Sequence, residues 1–284
     1  MRYGILVPNF GTACGSANGL DELAVESEEA GWDGFFIFDH ILYSNNQPVP
    51  LVDPWVALAA ISMKTRRVRI GTMATPIPRR HPWKLARETV SIDHLSAGRL
   101  ILAVALGDPP EVEFATFGET TDNRIRAGKL DEGLDVLAGL WSGVPFTYQG
   151  KYYTIKNARF LPRSFQSPRI PIWITGRWPR RAPFLRAAKW DGVFPLGLAS
   201  GSKLSAVELG NVMAFIRKHR TENSPYDLVA TSGAEGYTDD AALSAFALAG
   251  VTWWMKDLRR WCNSRDELVG QIRKKPKGPV VRST

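Results

Sequence analysis

Short apolar or β-branched runs alternate with longer amphipathic stretches along the whole chain, and a turn follows each run. Eight runs read as strands: 3–7, 34–39, 68–75, 100–106, 170–175, 192–196, 227–231 and 251–255. They are nearly continuous in Val, Ile, Leu, Phe and Trp, as strands buried on both faces of a parallel sheet are. Start and stop signals frame the helices between them. Asp53-Pro54 sets an N-cap acid before a first-turn proline. His81-Pro82 opens a segment through Leu95 that Ser96-Ala97-Gly98 closes. Asp122 precedes Leu130, Leu134, Leu137 and Trp141, one stripe at three- and four-residue spacing. Ser205 with Glu208 reads as a capping box, and Thr238-Asp239-Asp240 opens a later helix. Eight strands alternating with helices predict an α/β fold, a (β/α)8 TIM barrel forming one domain over 1–270. An open doubly wound sheet would need a glycine fingerprint after its first strand, and none is present. One segment breaks the rhythm. Phe146-Thr147-Tyr148, Gln149-Gly150 and Lys151-Tyr152-Tyr153-Thr154 read as a β-hairpin inserted before strand five.

Composition changes this picture little. With 44% hydrophobic and 23% charged residues over 284 positions, the chain can bury a core as a soluble globular protein does. No apolar stretch approaches the roughly 20 residues that cross a bilayer. The opening Met1-Arg2-Tyr3-Gly4-Ile5-Leu6-Val7-Pro8 is too short in its apolar part to serve as a signal peptide. Cys14 and Cys262 make neither a CxxC pair nor a metal spacing, so no metal is expected and a reducing cytoplasm is. Of the net charge of +8, five charges (Arg273, Lys274, Lys275, Lys277 and Arg282) lie in a basic tail over 271–284, leaving +3. No nucleic-acid motif accompanies the tail, so it reads as solvated.

Candidate chemistry collects where the strands end, the catalytic face of such a barrel. Asp39-His40 follows strand two. An imidazole there can take a proton from a substrate hydroxyl or steady an oxyanion, and the plainer reading is a loop histidine. Gly107-Asp108 follows strand four, where Asp108 is either the acid partner of His40 or a turn residue. Gly176-Arg177-Trp178-Pro179-Arg180-Arg181 leaves strand five and reads as a phosphate cradle, the alternative being a solvated basic turn. Arg79 to Lys84 reads as a solvated helix start. Trp253-Trp254 fills the barrel with one ring and packs an outer helix with the other. His94, His219 and Cys14 read as structural.

In their order, Gly31-Trp32-Asp33-Gly34, Asp39-His40, Gly71-Thr72, Arg80-His81-Pro82 and Ser96-Ala97-Gly98-Arg99-Leu100 resemble the bacterial luciferase-like oxidoreductases. Glu113-Phe114, Leu140-Trp141, Pro171-Ile172-Trp173-Ile174 and Trp190-Asp191-Gly192 continue that order. The resemblance implies a homodimeric barrel that binds reduced FMN or the deazaflavin F420 and oxidises, reduces or oxygenates a small organic substrate. It implies His40 and Asp108 as the proton-handling pair, with Asp standing where glutamate is common. Asp39, Thr72, Met73, Ala74 and Gly107 would border the ring system, 72–75 forming the bulge behind it. Gly176, Arg177 and Arg180 would hold the phosphate, without the serine often found there. Two rivals stay open: a flavin-free aldolase with Lys256 forming a Schiff base, and a non-catalytic ligand-binding barrel.

Overall fold

In the computed structural model, which describes residues 1–199, 202–234 and 239–275, the first half comprises β1 (Arg2–Val7), α1 (Ala17–Glu29), β2 (Gly34–Ile37), α2 (Pro54–Lys64), β3 (Arg69–Pro76), α3 (Pro82–Leu95), β4 (Leu100–Ala105), α4 (Pro110–Glu113) and α5 (Asn123–Trp141). The second half comprises β5 (Phe146–Gln149), β6 (Thr154–Ala158), β7 (Ile172–Arg177), α6 (Arg181–Ala187), β8 (Gly192–Leu196), α7 (Ala206–His219), β9 (Asp227–Thr231), α8 (Asp240–Leu248), β10 (Trp253–Asp257) and α9 (Arg265–Ile272). Eight strands close a barrel in the order β1-β10-β9-β8-β7-β4-β3-β2, and β5 pairs only with β6. Every neighbouring pair in the ring is parallel. This is the expected (β/α)8 barrel with its hairpin insertion.

Local chemistry accounts for the helix starts. Asp53 accepts from the amides of Trp55 (2.9 Å) and Val56 (3.0 Å), and Asp122 from those of Arg124 (2.7 Å) and Ile125 (3.0 Å). Both halves of the Ser205–Glu208 capping box form. Asp239 caps α8 through the Ala242 amide, while Thr238 lies outside the described residues. Leu130, Leu134, Leu137 and Trp141 are buried as one stripe.

One expectation is corrected by tertiary contacts. The second arm of the hairpin runs over 154–158 rather than 151–154. Glu132 of α5 accepts from the amides of Lys151, Tyr152 and Tyr153 at 2.7, 2.8 and 3.0 Å, so those donors are spent on the helix instead of a ladder. The first residues of the basic stretch from 271 are tied to the barrel, while Arg273 and Lys274 keep exposed side chains. The last turn of α9 reaches Ile272, Arg273 pairs with Glu26 at 3.2 Å, and Lys275 donates to the Gly31 carbonyl. Lys277 and Arg282 lie outside the described residues.

The core fills the barrel from its amino-terminal end. Phe36, Trp173 and Trp253 meet inside the ring, Phe36 stacking on Trp173 at 5.4 Å and Trp253 standing edge-on to both. Glycine is needed beneath them, since a Cβ on Gly34 would come within 2.7 Å of Phe36 and 2.9 Å of Trp253. Trp254, one residue on, packs outside the ring against Tyr3, as strand alternation requires. The aromatic plug fills the amino-terminal part of the barrel, and a cavity opens at the carboxyl ends of the strands.

Candidate functional site

A cavity of 560 Å³ occupies that mouth. It lies within the range of about 300–1,000 Å³ typical of small-molecule sites. Of the residues singled out from sequence, Asp39, His40, Met73, Ala74, Gly107, Asp108 and Arg177 line it together. Thr72, Gly176 and Arg180 are not among its lining residues. Thr72 is fully buried behind the wall, its Oγ1 2.7 Å from that of Thr75, which in turn donates to Asp39 Oδ2 at 2.7 Å. Gly176 turns outward, where a Cβ would meet Pro183 of α6 at 2.3 Å. Arg180 is the exposed N-cap residue of α6, and the turn's amides are already used: Trp178 N donates to Leu196 O and Arg180 N to Arg177 O. Between Thr72 and Thr75 the β3–β4 register shifts, placing Met73 and Ala74, joined by a cis peptide, in the cavity wall. Gly107 has φ +90, and a Cβ there would strike the Phe114 ring at 2.5 Å. Only glycine fits that turn.

The acid partner of His40 is Glu113, not Asp108. Nδ1 of His40 lies 2.7 Å from Glu113 Oε1, and Glu113 is only 1% exposed. Asp108 instead accepts from Arg177 Nη2 at 2.8 Å with its side chain 62% exposed. The reason is geometric. Asp108 sits in the turn itself, whereas the single turn of α4, closed by the Glu113 amide on the Pro109 carbonyl (3.0 Å), carries Glu113 back under the imidazole. With Nδ1 on the carboxylate, Nε2 is the ring nitrogen left to the cavity.

Arg79, expected in a solvated helix start, is also relocated. Its side chain is 8% exposed and bridges two buried carboxylates, with Nη2 3.0 Å from Asp39 Oδ1 and Nε 3.0 Å from Glu113 Oε2. Arg80 joins at 2.7 Å from Asp39 Oδ1. Burial pushes the Asp39 carboxyl up, but Arg80, Arg79 and hydrogen bonds from Arg80 and Thr75 outweigh it and hold the group below its ordinary value. An acid soon after Pro-Pro facing Arg79-Arg80 was the available sequence signal for this cluster, and no local rule joins the two segments.

The rest of the mouth pairs aromatic rings with ions. Phe10, Phe38 and Tyr43 surround the His40 ring at 5.6, 5.9 and 6.0 Å, each close to edge-on, and Tyr43 stacks on Phe10 at 3.8 Å. At the end of β10, Asp257 faces the cavity and accepts from Arg259 Nε at 2.8 Å. Lys256, the next residue back, faces away and donates to the Gln271 carbonyl of α9 at 3.0 Å. Burial, aided by Lys274, lowers its ammonium to about 8. The Schiff-base reading fails on this point, because the amine has no access to the cavity. Cys14 is buried and its thiol pushed up to about 12, consistent with an inert role.

A closed parallel barrel with a polar mouth and an imidazole in its wall held by a buried carboxylate is an enzyme-type barrel. The sequence model of the luciferase-like monooxygenase family matches residues 1–278, and the chain belongs to that family. An F420-dependent glucose-6-phosphate dehydrogenase of Microbacterium testaceum is 32% identical over 166 residues, taking in 57% of this chain and 48% of that protein. The chain thus matches about half the length of that relative. Monooxygenase RslO1 from Streptomyces bottropensis superposes with TM-score 0.65 at 25% identity, over 81% of this chain and 70% of that one. The coenzyme F420-dependent tetrahydromethanopterin reductase of Methanopyrus kandleri shares the fold, with TM-score 0.75 over 96% and 97% of the two chains at 15% identity.

Proposed function

We propose that this chain is an oxidoreductase that binds a flavin or deazaflavin in the mouth cavity and transfers a hydride to or from a small organic substrate. The carrying observation is the His40–Glu113 contact at 2.7 Å in the cavity wall. A buried carboxylate that fixes one imidazole nitrogen leaves the other to take a proton from an alcohol, or to return one to a carbonyl. The residues present suit the ring system. Met73 and Ala74 offer a flat backing, Leu6, Ala105 and Phe194 supply apolar walls, and Thr175 Oγ1 is buried in the lining with no protein partner. An occupant that meets this hydroxyl would satisfy a group otherwise costing about 1–3 kcal/mol. Arg177 is the candidate phosphate contact, because its ion pair with the exposed Asp108 is cheap to exchange. The bound cofactor would carry the hydride. His40 takes the substrate's hydroxyl proton on Nε2, Glu113 steadies the imidazolium through Nδ1, and Phe10, Phe38 and Tyr43 fix the ring by edge-on contacts.

Asp108, in this reading, positions Arg177 rather than handling the proton. The similarity to a monooxygenase at 25% identity favours a second reading, oxygenation with reduced FMN at the same site. A homodimer belongs to the proposal, supported by apolar Val56 and Met63 of α2 exposed at 61% and 57% and Trp83 of neighbouring α3 at 39%. So does a reducing cytoplasm, supported by two free, buried cysteines. Fluorescence titration with F420 and with reduced FMN tests the function. One should bind at micromolar Kd or tighter, about tenfold weaker in Arg177→Ala, the loss of one charged hydrogen-bonding partner. Binding of neither refutes it.

A further inference from the structure

Resting on the cofactor site proposed above, we infer that the substrate is an uncharged alcohol or carbonyl compound on an apolar skeleton, not a sugar phosphate or other anion. Charge matching at the mouth carries this. Among the described residues the cavity is lined by two guanidinium groups, Arg177 and Arg259, and four carboxylates, Asp39, Asp108, Glu113 and Asp257. Arg79 and Arg80 stand immediately behind, so four arginines face four carboxylates, and every guanidinium is held. Arg79 bridges Asp39 and Glu113, Arg80 binds Asp39, and Arg177 binds Asp108.

Arg259 is the lining cation beside the aromatic rings, and although its side chain is 36% exposed its guanidinium is committed to Asp257. Its Nε lies 2.8 Å from the 1%-exposed Asp257, while its guanidinium covers the Phe38 ring at 5.1 Å. Drawing it toward a substrate anion would orphan a buried carboxylate. Lys203, the next cation along the chain near Ser202, is exposed and outside the lining, and the undescribed residues between 199 and 239 include no Lys or Arg. Among the described residues, a phosphate dianion beside His40, ringed by Phe10, Phe38 and Tyr43, would meet no lining guanidinium that lacks a carboxylate partner. The tail phosphate of a cofactor differs, since it would replace only the 62%-exposed Asp108 on Arg177 Nη2, while Nη1 stays on the Gly197 and Leu198 carbonyls.

Acetophenone, 4-acetylbenzoate and glucose 6-phosphate test the inference by calorimetric titration at low ionic strength, where charge effects are least screened. The protein is first loaded with whichever of F420 and reduced FMN binds. Acetophenone should bind at least about tenfold tighter than 4-acetylbenzoate, a gap of about 1.4 kcal/mol, and glucose 6-phosphate should show no saturable binding. Asp257→Asn releases Arg259 and should narrow the gap by strengthening 4-acetylbenzoate alone. The wild-type comparison stands by itself if that variant does not fold. An anion binding as tightly as acetophenone, or acetophenone failing to bind, overturns the inference. Failure of both cofactors overturns the cofactor reading instead, and the same three titrations on cofactor-free protein then decide the substrate charge.

Discussion

Arg79→Leu isolates the energetic worth of the buried ion cluster behind the site. In the wild type the guanidinium, 8% exposed, touches Asp39 and Glu113, which are 0% and 1% exposed. Removing one partner of a buried pair costs about 3–5 kcal/mol, mostly because a charge is left without compensation. Asp39 keeps Arg80 and Thr75, and Glu113 keeps only His40, so the lower end, about 3 kcal/mol, is expected. A domain holds only about 5–15 kcal/mol in total, so the variant should fold but unfold at clearly lower urea. Urea titration followed by tryptophan fluorescence reads the difference. Adding Glu113→Gln removes the orphaned charge, so the double variant should be about 1–2 kcal/mol more stable than the sum of the two singles predicts. The pH dependence has a definite sign. Asp39 is held below its ordinary value partly by Arg79, and the variant loses that part of the stabilisation, which exists only while the carboxyl is ionised in the folded protein. The deficit relative to wild type should therefore shrink as pH falls below about 4. A variant within about 0.5 kcal/mol of wild type, with no pH dependence, would refute the reasoning.

Glu113→Gln should lower turnover by about 10²-fold, the scale of general acid–base assistance. Asp108→Asn should cost far less, since Asp108 bonds Arg177 rather than the imidazole; steady-state kinetics separate the two. Lys256→Met should stabilise the protein at pH 7. The drop from 10.5 to about 8, at about 1.4 kcal/mol per pH unit, makes the buried ammonium cost about 3 kcal/mol. Loss of its bond to Gln271 takes back about 1. That gain should be full below pH 8 and fade by about pH 10.5, where the unfolded chain also loses the proton, as melts across that range would reveal. Gly107→Ala should cost about 2–4 kcal/mol, combining a φ of +90 with a Cβ 2.5 Å from Phe114. Gly118→Ala, with φ +74 and nothing within 4 Å, should cost only the conformational part, about 1 kcal/mol; chemical denaturation compares the pair.

The barrel and its helix boundaries were legible in the sequence because their causes are local. Asp53, Asp122 and Ser205 cap amides two or three residues away, and the buried strands announce themselves as unbroken apolar runs. The polar mouth followed from the architecture, so Asp39, His40, Met73, Ala74, Gly107, Asp108 and Arg177 could be named as neighbours before any contact was known. Partnership was a different matter. His40 and Glu113 are 73 residues apart, and no propensity distinguishes Glu113 from Asp108 as the acid. The extra turn of α4 decides it, by returning one carboxylate under the ring and leaving the other beside Arg177. The same holds for Arg79, which a local rule assigns to water, and for the hairpin arm displaced by Glu132. Lys256 belongs here as well, since whether it serves chemistry or packing depends on which face of β10 it occupies. Sequence determines what each short segment prefers. Only closure of the barrel, which forces distant charges into one low-dielectric mouth where each must find a partner, decided which side chains meet.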